Sequence, residues 1–186
     1  MADGRVFNSD NVSFISFLLE AQVAVLKGLI RKLWDNIILM WFSPDSFIYN
    51  IKWPKLNDDT KADHTVIELQ RVGDATRRAL QPSDLQRFQI FMVECRSREH
   101  DTEKGWSDAL ERLLGCLKTN VARTKELLAA VMIGTKIIVY EGENIGEENS
   151  ALRPLHEGIL DVAVPGDRAA FEAVLERVRA EGWDRA

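Results

Sequence analysis

The stretch from Phe88 to Tyr140 constrains the fold of this chain more than any other, because it reads strand, helix, strand. Gln89–Arg96 is an apolar run closed by Glu94, Cys95 and Arg96. On an extended chain residues i and i+2 share a face, so Glu94 and Arg96 point one way and Cys95 the other. Residues 105–124 place Trp106, Ala109, Leu110, Leu113, Leu114 and Leu117 on one helical face. Two further apolar runs, Leu128–Ile133 and Lys136–Tyr140, are separated by Gly134-Thr135 and read as strands joined by a turn. A strand that returns to its sheet through a helix runs parallel to the first. The 128–133 segment is therefore expected beside the Glu94 strand and parallel to it, with 136–141 turning back antiparallel.

The flanking segments supply a helix and two strands before this unit. Phe14, Phe17, Leu18, Ala21, Val25, Leu29 and Leu33 recur at three- and four-residue steps, which predicts an amphipathic helix from about Asn11 to about Asp35. Asn8, Ser9 and Asp10 offer caps for its start. Residues 37–42 are apolar all round, and Pro44 closes the segment because it cannot continue a helical ladder. Phe47–Trp53, aromatic and β-branched, predicts a first strand, and Asp63–Leu69 a second one entered through an acid. Residues 75–80 read as a short basic helix carrying Arg77 and Arg78. After Glu141 come an acidic, glycine-containing loop over 142–150 and a short strand at Ile159–Val162. A final helix opens at Pro165, with Phe171, Val174, Leu175 and Val178 on its apolar face.

With 186 residues, 46% of them hydrophobic, the chain is expected to form one domain, with a core over about 11–141 and a C-terminal loop, strand and helix over 142–186. A net charge of −5 argues against holding nucleic acid by bulk positive charge. Cys95 and Cys116 show no paired spacing, so neither a disulfide framework nor a zinc ribbon is expected, and a reducing compartment is. Glu20, Lys27, Arg31, Lys32 and Asp35 interrupt the most apolar segment, which makes it amphipathic rather than bilayer-spanning. These signals together predict an intracellular protein of the nucleus or cytoplasm without a membrane segment.

The order helix, strand, strand with an entering Asp, strand bearing Glu-x-basic, helix, strand resembles the PD-(D/E)XK nuclease-like superfamily, and within it an uncharacterised fungal-type branch. The resemblance covers about residues 11–180. It implies an α/β fold with a mixed central sheet flanked by helices, a restriction-endonuclease-like α-β-β-β-α-β core and a C-terminal helix. By this resemblance Asp63, Glu94 and Arg96 stand at the catalytic positions. Asp63, Glu94 and the carbonyl of Cys95 would be the ligands of Mg²⁺ or Mn²⁺. Glu20 stands near a further acidic position on the first helix. The chain departs from the pattern at Ala62, where relatives have Pro, and at Arg96, where they have Lys. It also departs at Arg112 and Cys116, where many have Gln and Tyr.

The lysine replacement bears on the chemistry. Phosphodiester hydrolysis of this type uses divalent cations held by carboxylates to activate water and to stabilise charge on the attacked and departing oxygens. A lysine beside them can orient or deprotonate the water. Arginine can hold a phosphate but cannot release a proton, its pKa exceeding about 12. Lys104 and Lys136 are the alternative sources of an amine. The resemblance thus implies either metal-dependent cleavage of nucleic acid or a descendant with weakened or lost activity. The alternative is a non-catalytic adaptor that binds a protein partner, with its acidic surface and residues 37–42 as the interface.

Each residue also has a plainer reading. Glu94 and Arg96 suit a strand-end ion pair, Asp63 a strand entry, Glu20 the polar side of a helix, and His64 and His100 solvated loop positions. Trp106 suits a core anchor at the helix start, and Arg77, Arg78, Arg96 and Arg98 suit either a phosphate-facing rim or solvated charge.

Overall fold

The structure is a computed structural model that describes residues 12–23, 30, 32–34, 36–37, 41, 49–52, 65–72, 87–120, 126–143, 145 and 150–184. Helix α1 (Val12–Val23) leads, in chain order, to strands β1 (Tyr49–Lys52), β2 (Thr65–Val72) and β3 (Arg87–Arg96). A single 3₁₀ turn at Arg98–His100 precedes helix α2 (Glu103–Asn120). Strands β4 (Glu126–Ile133), β5 (Lys136–Glu143), β6 (Ala151–Pro154) and β7 (Leu160–Asp161) follow, and helix α3 (Pro165–Asp184) is the last element described. The sequence 75–80, expected to be helical, lies outside the described residues.

The seven strands among the described residues form one sheet ordered β1-β2-β3-β4-β5-β6, with β7 also on β5. The first three strands are an antiparallel meander. β3 and β4 are parallel, with Glu94 opposite Val131, and β4 and β5 are antiparallel. This is the expected mixed sheet with the α-β-β-β-α-β element order. The parallel pair requires a crossover too long for a hairpin, and α2 provides it.

Alternation along the central strands divides the interior into two layers. Phe91, Val93 and Cys95 of β3, with Leu128, Ala130 and Met132 of β4, pack with Phe14, Leu18 and Ala21 of α1 and Phe171 and Leu175 of α3. Met92, Ala129, Val131 and Ile133 face Ala109, Leu113, Cys116 and Leu117 of α2. Both faces of β3 and β4 are thus covered, which explains why these strands read as nearly continuous apolar runs. The helical residues Ile30, Leu33, Trp34, Ile37 and Trp41 also belong to the first layer. Trp34 meets the Phe171 ring edge-on at 5.7 Å between centroids and lies 6.4 Å from that of Phe91. This ties Trp34 to α3 as well as to the sheet. Val25 and Leu29, expected on this apolar face, lie outside the described residues.

β6 was not expected. It pairs with Tyr140–Glu143 of β5, so the strand that was to end at Glu141 continues to Glu143. β7 pairs with Lys136 and Ile137 on the same edge. Between the two short strands the chain bulges. There Leu155 N donates to Val139 O at 2.9 Å, and Val139 N donates to the Nε2 of His156 at 3.2 Å. The β4–β5 turn is the expected two-residue one, with Gly134 at φ 63°, a conformation that favours glycine.

Candidate functional site

β3 delivers its charged pair to the α2 side of the sheet. Glu94 follows Met92 in the alternation and is fully buried, and Arg96 is almost so, at 3% exposure. Cys95 points into the opposite layer, as the spacing required. Arg96 Nε donates to Glu94 Oε1 at 3.4 Å, and its Nη1 donates to the Gly105 carbonyl at 3.3 Å. Arg112, half-buried on α2, brings its own Nε to 3.8 Å from the same Glu94 oxygen. One carboxylate therefore sits between two guanidinium groups beneath the first half of α2.

The surroundings hold this arrangement in place. Thr102 starts α2, its Oγ1 accepting from Gly105 N at 3.0 Å and its carbonyl from Trp106 N at 3.0 Å. A Cβ on Gly105 would collide with the carbonyl oxygen of His100, so only glycine lets the preceding turn pass this close. That turn is braced by Ser97 Oγ, 3.0 Å from Glu99 Oε1 and 3.0 Å from His100 Nδ1. Trp106 is an anchor, donating from Nε1 to Asp101 Oδ1 at 3.0 Å. Burial tends to raise the Asp101 pKa. Hydrogen bonds from Lys136 and Trp106, with the charges of Lys136 and Arg98, outweigh it and hold this carboxyl below its ordinary value. Cys116 lies close enough to feel the cluster. Burial pushes its thiol pKa up, the Glu94 charge adds to the rise, and Arg112 opposes it.

The structure brings some of the anticipated residues together and separates others. Glu94 and Arg96 meet. Asp63 and His64 lie outside the described residues, as do Arg77 and Arg78; β2 itself is described from Thr65, which pairs with Cys95. Neither alternative lysine is committed to Glu94. Lys104 bonds Asp108 at 2.6 Å in an exposed i, i+4 pair, and Lys136 bonds Asp101 at 2.6 Å. Glu20 is on α1, the helix that packs on the opposite face of the sheet. Arg96 lies in the interior rather than on a phosphate-facing rim, whereas Arg98 is exposed.

Arg112 is the participant that sequence reasoning noted only as a departure from a family pattern. Its signal was positional: it falls between Ala109, Leu113 and Cys116 on the flank of the buried stripe, where a charge needs a partner.

A hard divalent cation takes about six oxygen ligands, several of them carboxylate or water. The described residues here supply one side-chain carboxylate, Glu94, enclosed by two cations; Asp63, the second carboxylate of the resembled set, lies outside them. No group of three or more His, Cys, Asp or Glu side chains suited to a metal occurs among the described residues. What the arrangement does chemically is neutralise a buried acid and fasten α2 to β3.

No family model, curated protein or solved structure matches this chain.

Proposed function

We propose that this protein is a nuclease-like scaffold that does not cleave phosphodiesters at the Glu94 position. The observation that carries this reading is the enclosure of Glu94: no solvent reaches it, and Arg96 and Arg112 both face its Oε1. A catalytic carboxylate must exchange its partners for a metal and meet the substrate. Here a cation would have to enter a buried site that carries excess positive charge, shedding its water as it did so. Arg96, at the lysine position of the resembled pattern, cannot serve as a base. The α-β-β-β-α-β element order supports the nuclease-like ancestry.

The scaffold role carries with it a protein partner. Of the apolar segment 37–42, Ile37 and Trp41 are core residues, and 38–40 and 42 lie outside the described residues. Among the described residues no helix is long and apolar enough to cross a membrane. Cys95 and Cys116 are buried in opposite layers of the interior, and their unpaired sequence spacing suits a reducing nuclear or cytoplasmic setting.

The test is titration of the full chain with Mg²⁺ and Mn²⁺, followed by cleavage assays on single-stranded, duplex and branched nucleic acids. The native chain and Glu94→Ala are expected to be equally inactive. Metal-dependent cleavage by the native chain that disappears in Glu94→Ala overturns the proposal. Arg96→Lys is the companion variant: a gain of cleavage would identify the arginine as the element that silenced the site.

A further inference from the structure

A second site lies beyond the carboxyl ends of β3 and β4, where open α/β sheets commonly receive ligands. It is a polar cleft of about 280 Å³ whose walls include Gln22 at the end of α1, Arg98 and Asp101 after β3, Thr135 and Lys136 at the β4–β5 turn, and Asp161 of β7. Two of its charges cancel locally, since Lys136 Nζ bonds Asp101 Oδ2 at 2.6 Å. Arg98 and Asp161 are in no such ion pair among the described residues, although the Arg98 charge also acts on Asp101. Arg98 donates from Nη1 to the Gln22 carbonyl at 2.7 Å and, among the described residues, has no carboxylate in an ion pair. Asp161 accepts from Ala163 N on Oδ1 at 2.9 Å and, among the described residues, pairs with no cation. One guanidinium and one carboxylate thus line the same cavity without bonding each other.

Both groups are held by structure that does not depend on a ligand. Asp161 N donates to Asp167 Oδ2 at 2.9 Å, and Val162 N to Thr135 O at 3.0 Å. Arg168 donates to the carbonyls of Val162 and Ala163 at 2.7 and 3.0 Å, which ties the Asp161 segment to α3. On the other wall the Arg98 side chain lies against Gly134, where an added Cβ would stand 3.3 Å from Arg98 Cβ. Fixed walls reduce the ordering that binding must impose.

We infer that this cleft binds a small zwitterion of the α-amino acid class, its carboxylate on Arg98 and its ammonium on Asp161. A simple anion would satisfy Arg98 and meet repulsion from Asp161, and a simple cation would meet the converse. The volume falls just below the range of about 300–1,000 Å³ common for pockets that take drug-sized ligands, which favours a small molecule over a nucleotide. Among the described residues Ile133, Thr135 and Ala163 also line it, so the less polar part of the wall suits a short side chain.

The experiment is calorimetry and amide-shift mapping of the full chain with glycine, alanine and serine, using acetate and methylammonium as single-charge controls. The amino acids are expected to shift Thr135 and Ala163 saturably with Kd of about 1 mM or tighter. Each control is expected to bind about tenfold more weakly or worse, as is each amino acid to Asp161→Asn and Arg98→Gln. Asparagine keeps the acceptor for Ala163 N, so Asp161→Asn tests charge with the loop contact retained. Saturation by acetate equal to that by glycine, or no saturable shift at these residues, overturns the inference. The ligand series on the native chain decides the matter even where a variant fails to fold.

Discussion

Arg112 and Arg96 approach the same oxygen of Glu94, at 3.8 and 3.4 Å, one from the helix and the other from the strand on which Glu94 itself lies. The contact joins two elements that also meet through the Arg96 bond to the Gly105 carbonyl and through apolar side chains. Its worth lies less in attraction than in what its loss would leave behind. Desolvating three charged groups offsets much of their mutual Coulomb energy, and removing one partner leaves the others buried without compensation.

Glu94→Leu should therefore lower the unfolding free energy by about 3–5 kcal/mol, the usual cost of breaking a buried pair from one side. Glu94→Leu combined with Arg96→Met should lose markedly less, because Arg112 retains partial access to water. Urea unfolding of the native chain, both single variants and the double variant gives the coupling directly. Strict additivity of the two single losses would show that the pair does not act as a unit.

Gly105→Ala should destabilise the protein by about 1–3 kcal/mol, as overpacking does, although alanine is the better helix former. The added Cβ meets the His100 carbonyl, and the displacement needed to relieve it also draws the Gly105 carbonyl from Arg96. At Gly115, on the same helix, nothing stands near an added Cβ. Gly115→Ala should accordingly be neutral or stabilising, and thermal unfolding of the two variants side by side separates close packing from helix propensity.

Alkaline pH should weaken the fold through Tyr140. Burial against α2 raises its phenol from 10.0 to about 12. The unfolded chain thus loses this proton more readily than the folded one. The corresponding stability is fully present below pH 10 and is lost as the pH rises towards 12. Comparing urea midpoints across that interval, the native chain should fall further than Tyr140→Phe. Parallel declines would place the ionisation elsewhere.

Much of the architecture was legible because local pattern and buried environment agree. The Glu94 strand, the α2 crossover and the parallel return were readable from two apolar runs with an amphipathic helix between them, and Phe171 and Leu175 did face the core. β6 was not readable, since Ala151, Arg153 and Pro154 are exposed on a sheet edge and show no apolar alternation. The turn signals of 142–150 concealed the last two residues of β5 for a related reason: their pairing is with β6, which the local sequence does not announce. At the site, the i, i+2 rule placed Glu94 and Arg96 on one face. It could not give their depth, which depends on how closely α2 lies over them. Nor could it supply Arg112, which reaches the carboxylate only through tertiary packing.

The imidazole of His156 has a wider effect than one hydrogen bond. It takes the Val139 amide at the gap between the two short strands that cover the outer margin of β5, while Leu155 takes the carbonyl. The backbone groups of Val139 are thus both taken, and a strand from another molecule could not pair with them there. A single side chain thereby closes the gap that β6 and β7 leave along β5.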